Sequence, residues 1–319
     1  MSIRQARGFA LLFLLFIVTS PAWASCGVGN CSVDTGQEIQ AWQDGLISRL
    51  DLRYDNYTLD QPRFGTRPVG VGEIRRHHDE IRTRNQNLWL NADIATSRNW
   101  GFSVVTPYVL ERAHDHVHNH HGHRFYDGWN LSGIGDMRVL GRYQSNFDPA
   151  SRSFWGVKLG FKLPTGSTSD RNSAGSEAER MLQPGTGSLD VLAGGYFNQA
   201  VGKGNGWFGS VMVQSPLTTR DKFRPGQALY VDLGYRQKLD DHWSAFLQGN
   251  LQVQGQDQGA NAEPPQSGGT YFFITPGVQC SLSKSVQVYG FVQLPVYQGV
   301  NDVQLTRSYG VSTGLNIRL

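Results

Sequence analysis

Between Leu46 and Leu319 apolar and polar residues alternate in about twelve short runs, so that one parity reads as oil and the other as water. Residues two apart on a β-strand share a face. The pattern predicts strands at Gly45–Tyr57, Glu80–Ala95, Trp100–Glu111, Ile134–Gln144, Ser153–Leu163, Ser188–Asn198, Trp207–Gln214, Ala228–Leu239, Trp243–Gln254, Thr270–Leu282, Val286–Val296 and Arg307–Leu319. Ser153–Leu163 shows the rule most plainly: Trp155, Val157, Leu159, Phe161 and Leu163 share one side, against Lys158 and Lys162. The gaps between runs alternate between long and short. Short turns at one end and long loops at the other mark a transmembrane barrel, whose closed sheet leaves no backbone group unpaired in hydrocarbon. The predicted fold is all-β, a transmembrane antiparallel up-and-down β-barrel of about 12 strands over residues 45–319. A soluble β-sandwich also has many short strands, but this one would expose rows of Trp, Phe, Leu and Tyr to water.

The residues before the first strand divide in two. Arg4 and Arg7 precede an apolar run from Phe9 to Val18, and Ala22-Trp23-Ala24 supplies small residues for cleavage, so residues 1–24 read as a signal peptide. The run falls short of the ~20 apolar residues that a spanning helix needs. Residues 25–44 then form a periplasmic segment with Cys26 and Cys31 spaced C-x4-C, a pair expected to close a disulfide in an oxidising compartment. Binding of Cu(I) is the other use of such a pair. The expected location is the bacterial outer membrane, with lipid and the barrel-assembly machinery as partners.

Composition agrees with a polar interior inside a greasy skin: 38 Gly, 16 Phe, 12 Tyr and 8 Trp, with a mean hydropathy of −0.38. A net charge of +3, with no basic run interleaved with aromatics, gives no support for nucleic-acid binding. The parity opposite the lipid face predicts a lumen lined by Arg49, Arg53, Arg138, Arg142, Lys158, Lys162 and Arg236, with Asp51, Asp136 and Asp232. Charged groups turned to hydrocarbon would cost several kcal/mol, whereas mixed rings inside a narrow pore set ion and solute preference.

Three segments add a resemblance. Lys162-Leu163-Pro164-Thr165-Gly166 is followed by Leu182-Gln183-Pro184-Gly185-Thr186-Gly187-Ser188, and Thr275-Pro276-Gly277-Val278 stands later in the chain. Together they resemble the outer-membrane family named for the meta-pathway of phenol degradation, whose members are taken to be transporters. The resemblance implies a barrel that admits small, often hydrophobic or aromatic, solutes. Pro164 ends strand pairing, and Gly166, Gly185 and Gly187 permit unusual backbone angles where the loop folds over the mouth.

A histidine tract is the other chemical feature. His114, His116, His118, His120, His121 and His123 fall in the predicted second outer loop, and His77 and His78 in the first. Imidazoles at such spacing are ligands for Zn(II), Cu(II) or Ni(II), with Asp79, Asp115 and Asp127 available to complete or orient a shell. A solvated tract that binds metal opportunistically is the bland reading. Near a pKa of ~6.5 such a cluster would gain positive charge in acid. The expected function is an outer-membrane channel or transporter for small solutes. A surface metal-binding barrel with a plugged lumen is the alternative, and an outer-membrane hydrolase a more distant one. A nucleophile with a base in reach is not evident: there is no G-x-S-x-G, and the only histidine outside the two loops is His242. No catalytic residue and no required cofactor are expected.

Overall fold

The computed structural model describes residues 48–74, 79–120, 123–146, 148–150, 152–262 and 264–319, with backbone alone at 79, 118–120 and 123–125. One sheet holds β1 (Arg49–Phe64), β2 (Arg67–Pro68), β3 (Asp79–Ala95), β4 (Trp100–His120), β5 (His123–Ile134), β6 (Arg138–Gln144) and β7 (Ser153–Lys162). It continues through β8 (Asp190–Val201), β9 (Asn205–Pro216), β10 (Ala228–Lys238), β11 (Trp243–Gln254), β12 (Gly269–Ser281), β13 (Val286–Val300) and β14 (Val303–Arg318). The sheet closes where β14 pairs with β1, from Arg318 opposite Arg49 to Val303 opposite Phe64. β2 only turns back on the end of β1, and β5 stacks above β6 along β4. Twelve antiparallel staves remain among the described residues, as the spacing predicts.

Alternation decides which side each residue faces. Along β7 the lipid parity holds Trp155, Val157, Leu159 and Phe161, with Leu159 63% exposed, while Phe154 and Lys162 are buried within. At the end with the short turns, Trp100, Tyr143 and Trp155 stand in a row with centroids 5.0 and 5.9 Å apart, and Trp207 meets Tyr235 at 4.9 Å. Amphipathic rings of this kind settle at a membrane interface, and short turns mark the periplasmic end of such barrels. At the other end the outward face changes from Leu88, Leu90 and Leu110 to Arg84 paired with Glu111 at 2.8 Å and Arg82 paired with Asp115 at 2.9 Å. Those charges set the upper limit of the apolar belt.

Three expectations are corrected. The predicted second outer loop is a hairpin: β4 continues to His120 and pairs with β5, so His114 and His116 lie in a strand. The predicted strand Ile134–Gln144 is broken, because Gly135, Asp136 and Met137 belong to neither β5 nor β6. The last outer connection, expected as a loop near Gln298–Asp302, is a tight turn between Val300 and Val303. The predicted signal peptide, Cys26, Cys31, His77, His78 and His121 lie outside the described residues. Cys280 is half-buried and free.

Candidate functional site in the barrel lumen

Near the periplasmic end the inner wall carries Phe154, Tyr196, Phe208, Phe246, Tyr289 and Phe291, each 5% exposed or less. These rings alternate with glycines of neighbouring staves. A Cβ placed on Gly156, Gly234, Gly277 or Gly314 would come within 2.3 Å of Tyr196, Phe208, Phe291 and Tyr289 respectively. The absence of a side chain there lets each ring lie against the wall instead of across the lumen. Phe208–Phe246, Phe246–Phe291 and Tyr289–Phe291 centroids are 6.4, 5.6 and 5.8 Å apart, within the range of favourable ring pairs. The row was absent from the predicted lining, although the same parity that selected the charges also points these rings inward.

Several of the charges predicted for the lumen make contacts within the sheet. Arg49, Arg142 and Asp232 are buried. Arg53 lies 3.3 Å from Asp55 and over the Trp89 ring at 5.2 Å, and Arg138 reaches the same ring at 5.9 Å. Asp51 accepts the Tyr289 hydroxyl at 2.9 and 3.0 Å. Arg142 Nε is 3.8 Å from Asp93, and Lys158 lies over Tyr196 at 5.4 Å. Asp232 accepts from Asn250 at 2.7 Å and Ser210 at 3.0 Å. Arg236, on β10 opposite Phe246, is partly exposed. Asp55 and Asp93 stand on the polar parity that the pattern predicts, although the predicted lining leaves them out, and Trp89 was missed.

At the outer end Lys162 is fully enclosed rather than set beside open solvent. Its Nζ lies 2.9 Å from Asp136 and 3.3 Å from Asp190, donates to the Ser188 carbonyl at 3.1 Å and also contacts the Thr186 hydroxyl. Asp136 in turn accepts the backbone N–H of Gly166 at 3.1 Å and of Thr186 at 2.8 Å. The two glycine motifs therefore meet on one carboxylate, and Gly166 and Gly185 pack backbone to backbone where a Cβ on either would come within 2.6 Å of the other. Arg112 donates to the carbonyls of Leu182 at 3.1 Å and Gln183 at 2.9 Å. Buried charges persist only when paired and hydrogen-bonded, and this clasp ties loop 163–189 into the mouth. Asp190 was missed because its partner stands across the sheet.

The histidines divide. His114 and His116 are buried, 5.8 Å apart, beside Trp129, and the Thr83 hydroxyl shares a hydrogen bond with His114 Nδ1 at 2.8 Å. Both lie above the apolar belt. Burial pushes the His114 pKa down to about 4, opposed in part by Asp115, so it does not gain the charge expected of an open tract as pH falls below 6.5. Only the backbone is described at His118, His120 and His123. Among the described residues no three His, Cys, Asp or Glu are gathered as a metal site.

Comparison with known proteins agrees with this architecture. The model of a family described as "Putative MetA-pathway of phenol degradation" matches residues 80–318. Among solved structures, an outer membrane channel from Pseudomonas putida F1 superposes with a TM-score of 0.67 at 11% identity, covering 90% of this chain and 100% of that one. The translocator domain of the autotransporter NalP from Neisseria meningitidis gives 0.47 at 10% identity, over 89% and 94%. The porin NanC gives 0.45 at 11%, over 85% and 100%. No curated protein matches the chain.

Proposed function

The chain belongs to that phenol-degradation family, and from this premise we propose that its outer-membrane barrel is a passive channel for small apolar or aromatic solutes. The observation that carries the reading is the row of rings on the periplasmic half of the inner wall. Conduction needs contacts good enough to admit a solute and weak enough to release it. A ring pair contributes about 0.5–1.5 kcal/mol beyond burial, which suits a series of such contacts. The glycines beside the rings favour the same reading, because they leave each ring room against the wall that a side chain would take. Passage, not bond-breaking, is the task assigned to the lumen.

The test is uptake of toluene by cells that depend on this protein, with Phe246→Ser as the variant and heat-modifiable gel migration as the check on folding. Uptake should fall severalfold in the variant. Equal uptake by both proteins would remove the rings from the route. An absence of protein-dependent uptake, together with silent planar bilayers, would favour a plugged barrel.

A further inference from the structure

A side chain on a strand meets its neighbours two positions along the chain and those directly opposite on the adjoining strands. β4 carries His114 and His116 two positions apart, 2% and 1% exposed, with ring centres separated by 5.8 Å. Trp129 of β5 flanks both rings, at 6.0 and 6.4 Å. Its indole N–H donates to the Ser176 carbonyl at 3.1 Å, and Ala178 and Leu182 of the 163–189 loop pack with it. The two imidazoles therefore adjoin the loop at the mouth of the barrel.

One nitrogen of the pair is held and another is left over. The Thr83 hydroxyl shares a hydrogen bond with His114 Nδ1 at 2.8 Å, whereas His114 Nε2 is buried with no hydrogen-bond partner among the described residues. A buried polar atom without a partner costs about 1–3 kcal/mol. Imidazoles that bind metal are commonly oriented in this way, by a hydrogen bond at the ring nitrogen that faces away from the ion. Across the ladder, Glu80 of β3 and Asp127 of β5 both stand opposite His116, and both are half-buried. Carboxylates thus approach that position from either side. Asp115 is tied to Arg82 at 2.9 Å on the outer face and takes no part. Arg112, the next inward cation along β4, is committed to Asn85 and to the Leu182 and Gln183 carbonyls.

We propose that His114 and His116 together hold one divalent transition-metal ion at the mouth of the barrel, with Cu(II) bound more tightly than Ni(II) or Zn(II). Metal–nitrogen bonds of about 2.0–2.1 Å let two imidazoles at this separation share an ion. Water fills the positions that the protein leaves open, and Glu80 and Asp127 balance the added charge. The site is narrower than the tract that the sequence suggests. A straight strand brings histidines together in pairs, which accords with the lack of a three-ligand group among the described residues. The ion lies beside Trp129, the ring against which the mouth loop packs.

The test uses the whole protein purified from membranes in detergent, with Cu(II) as the probe, read by electron paramagnetic resonance and by quenching of tryptophan emission. One tightly held ion per barrel is expected, with splitting from two nitrogens. His114→Gln and His116→Gln should each weaken its binding at least tenfold, in protein that still shows heat-modifiable migration. A form with His77, His78, His118, His120, His121 and His123 all replaced by serine should keep the ion. Quenching should shrink in Trp129→Phe, and quenching that stays undiminished there places the ion elsewhere and overturns the site. Loss of the tight ion in the six-serine form, or its survival in both glutamine variants, also overturns the site and assigns binding to the open tract. Should neither glutamine variant fold, the six-serine form decides: retention with a two-nitrogen splitting supports the pair, and loss removes it.

Discussion

At the outer end of the lumen Lys162 is held by Asp136 and Asp190 with no exposed surface, whereas at the periplasmic end Phe291 lies on Gly277 with only ring contacts. Both use the same inward parity of the same sheet. The outer end relies on directional, charge-assisted hydrogen bonds, which fix a 163–189 loop in one arrangement. The periplasmic end relies on shape to seat its phenylalanine rings, with Tyr289 held to Asp51 and Lys158 set over Tyr196 beside them. The contrast shows how one alternating pattern can supply a fastening and a smooth surface a few residues apart.

The contrast should be sharpest when the fastening loses its cation. Lys162→Met leaves Asp136 and Asp190 buried without it, and loss of one member of a buried ion pair costs about 3–5 kcal/mol. Urea unfolding in phospholipid vesicles reads that loss. Lys158→Met, at a partly exposed lysine over Tyr196, should cost far less, and equal losses would erase the difference between the two ends.

Acid tests the outer end alone. The His114 pKa is about 4 in the fold, below the ordinary 6.5, so the unfolded chain binds more protons between those values. Stability is therefore unaffected above pH 6.5 and falls as pH drops from 6.5 to 4, by about 3 kcal/mol at 1.36 kcal/mol per pH unit. His114→Gln should flatten that part of the unfolding profile. A profile still steep by the same amount would assign the acid response to other groups.

The smallest effect belongs to the periplasmic end. Gly277→Val forces a side chain onto Phe291, 2.0 Å from the position of its Cβ, and overpacking of this kind costs about 1–3 kcal/mol. Adding Phe291→Ala should restore most of the loss. A double variant no better than the single one would show that the glycine serves the backbone and not the ring.

Period-two alternation was enough to give the barrel, because a one-residue slip would turn every lysine of β7 toward lipid and no compensating arrangement exists. Trp243–Gln254 is found with the boundaries that the pattern predicts. The histidine tract misled for a local reason. Polar residues of alternating strand and polar residues of a loop read alike, and only pairing with β5 shows that His114 and His116 point inward against Trp129.

Alternation, turn length and the two glycine motifs determined by themselves that this chain closes into a twelve-stave barrel with a charged interior, since each of those signals is local. The tertiary structure decided which rings share a level, that Lys162 meets carboxylates from two separate segments, and that the wall between Ile134 and Arg138 is completed by the Thr165 hydroxyl and the Leu163 N–H. Most of these contacts join residues more than twenty positions apart, and their register depends on the closure of the whole sheet, which no short stretch of sequence contains.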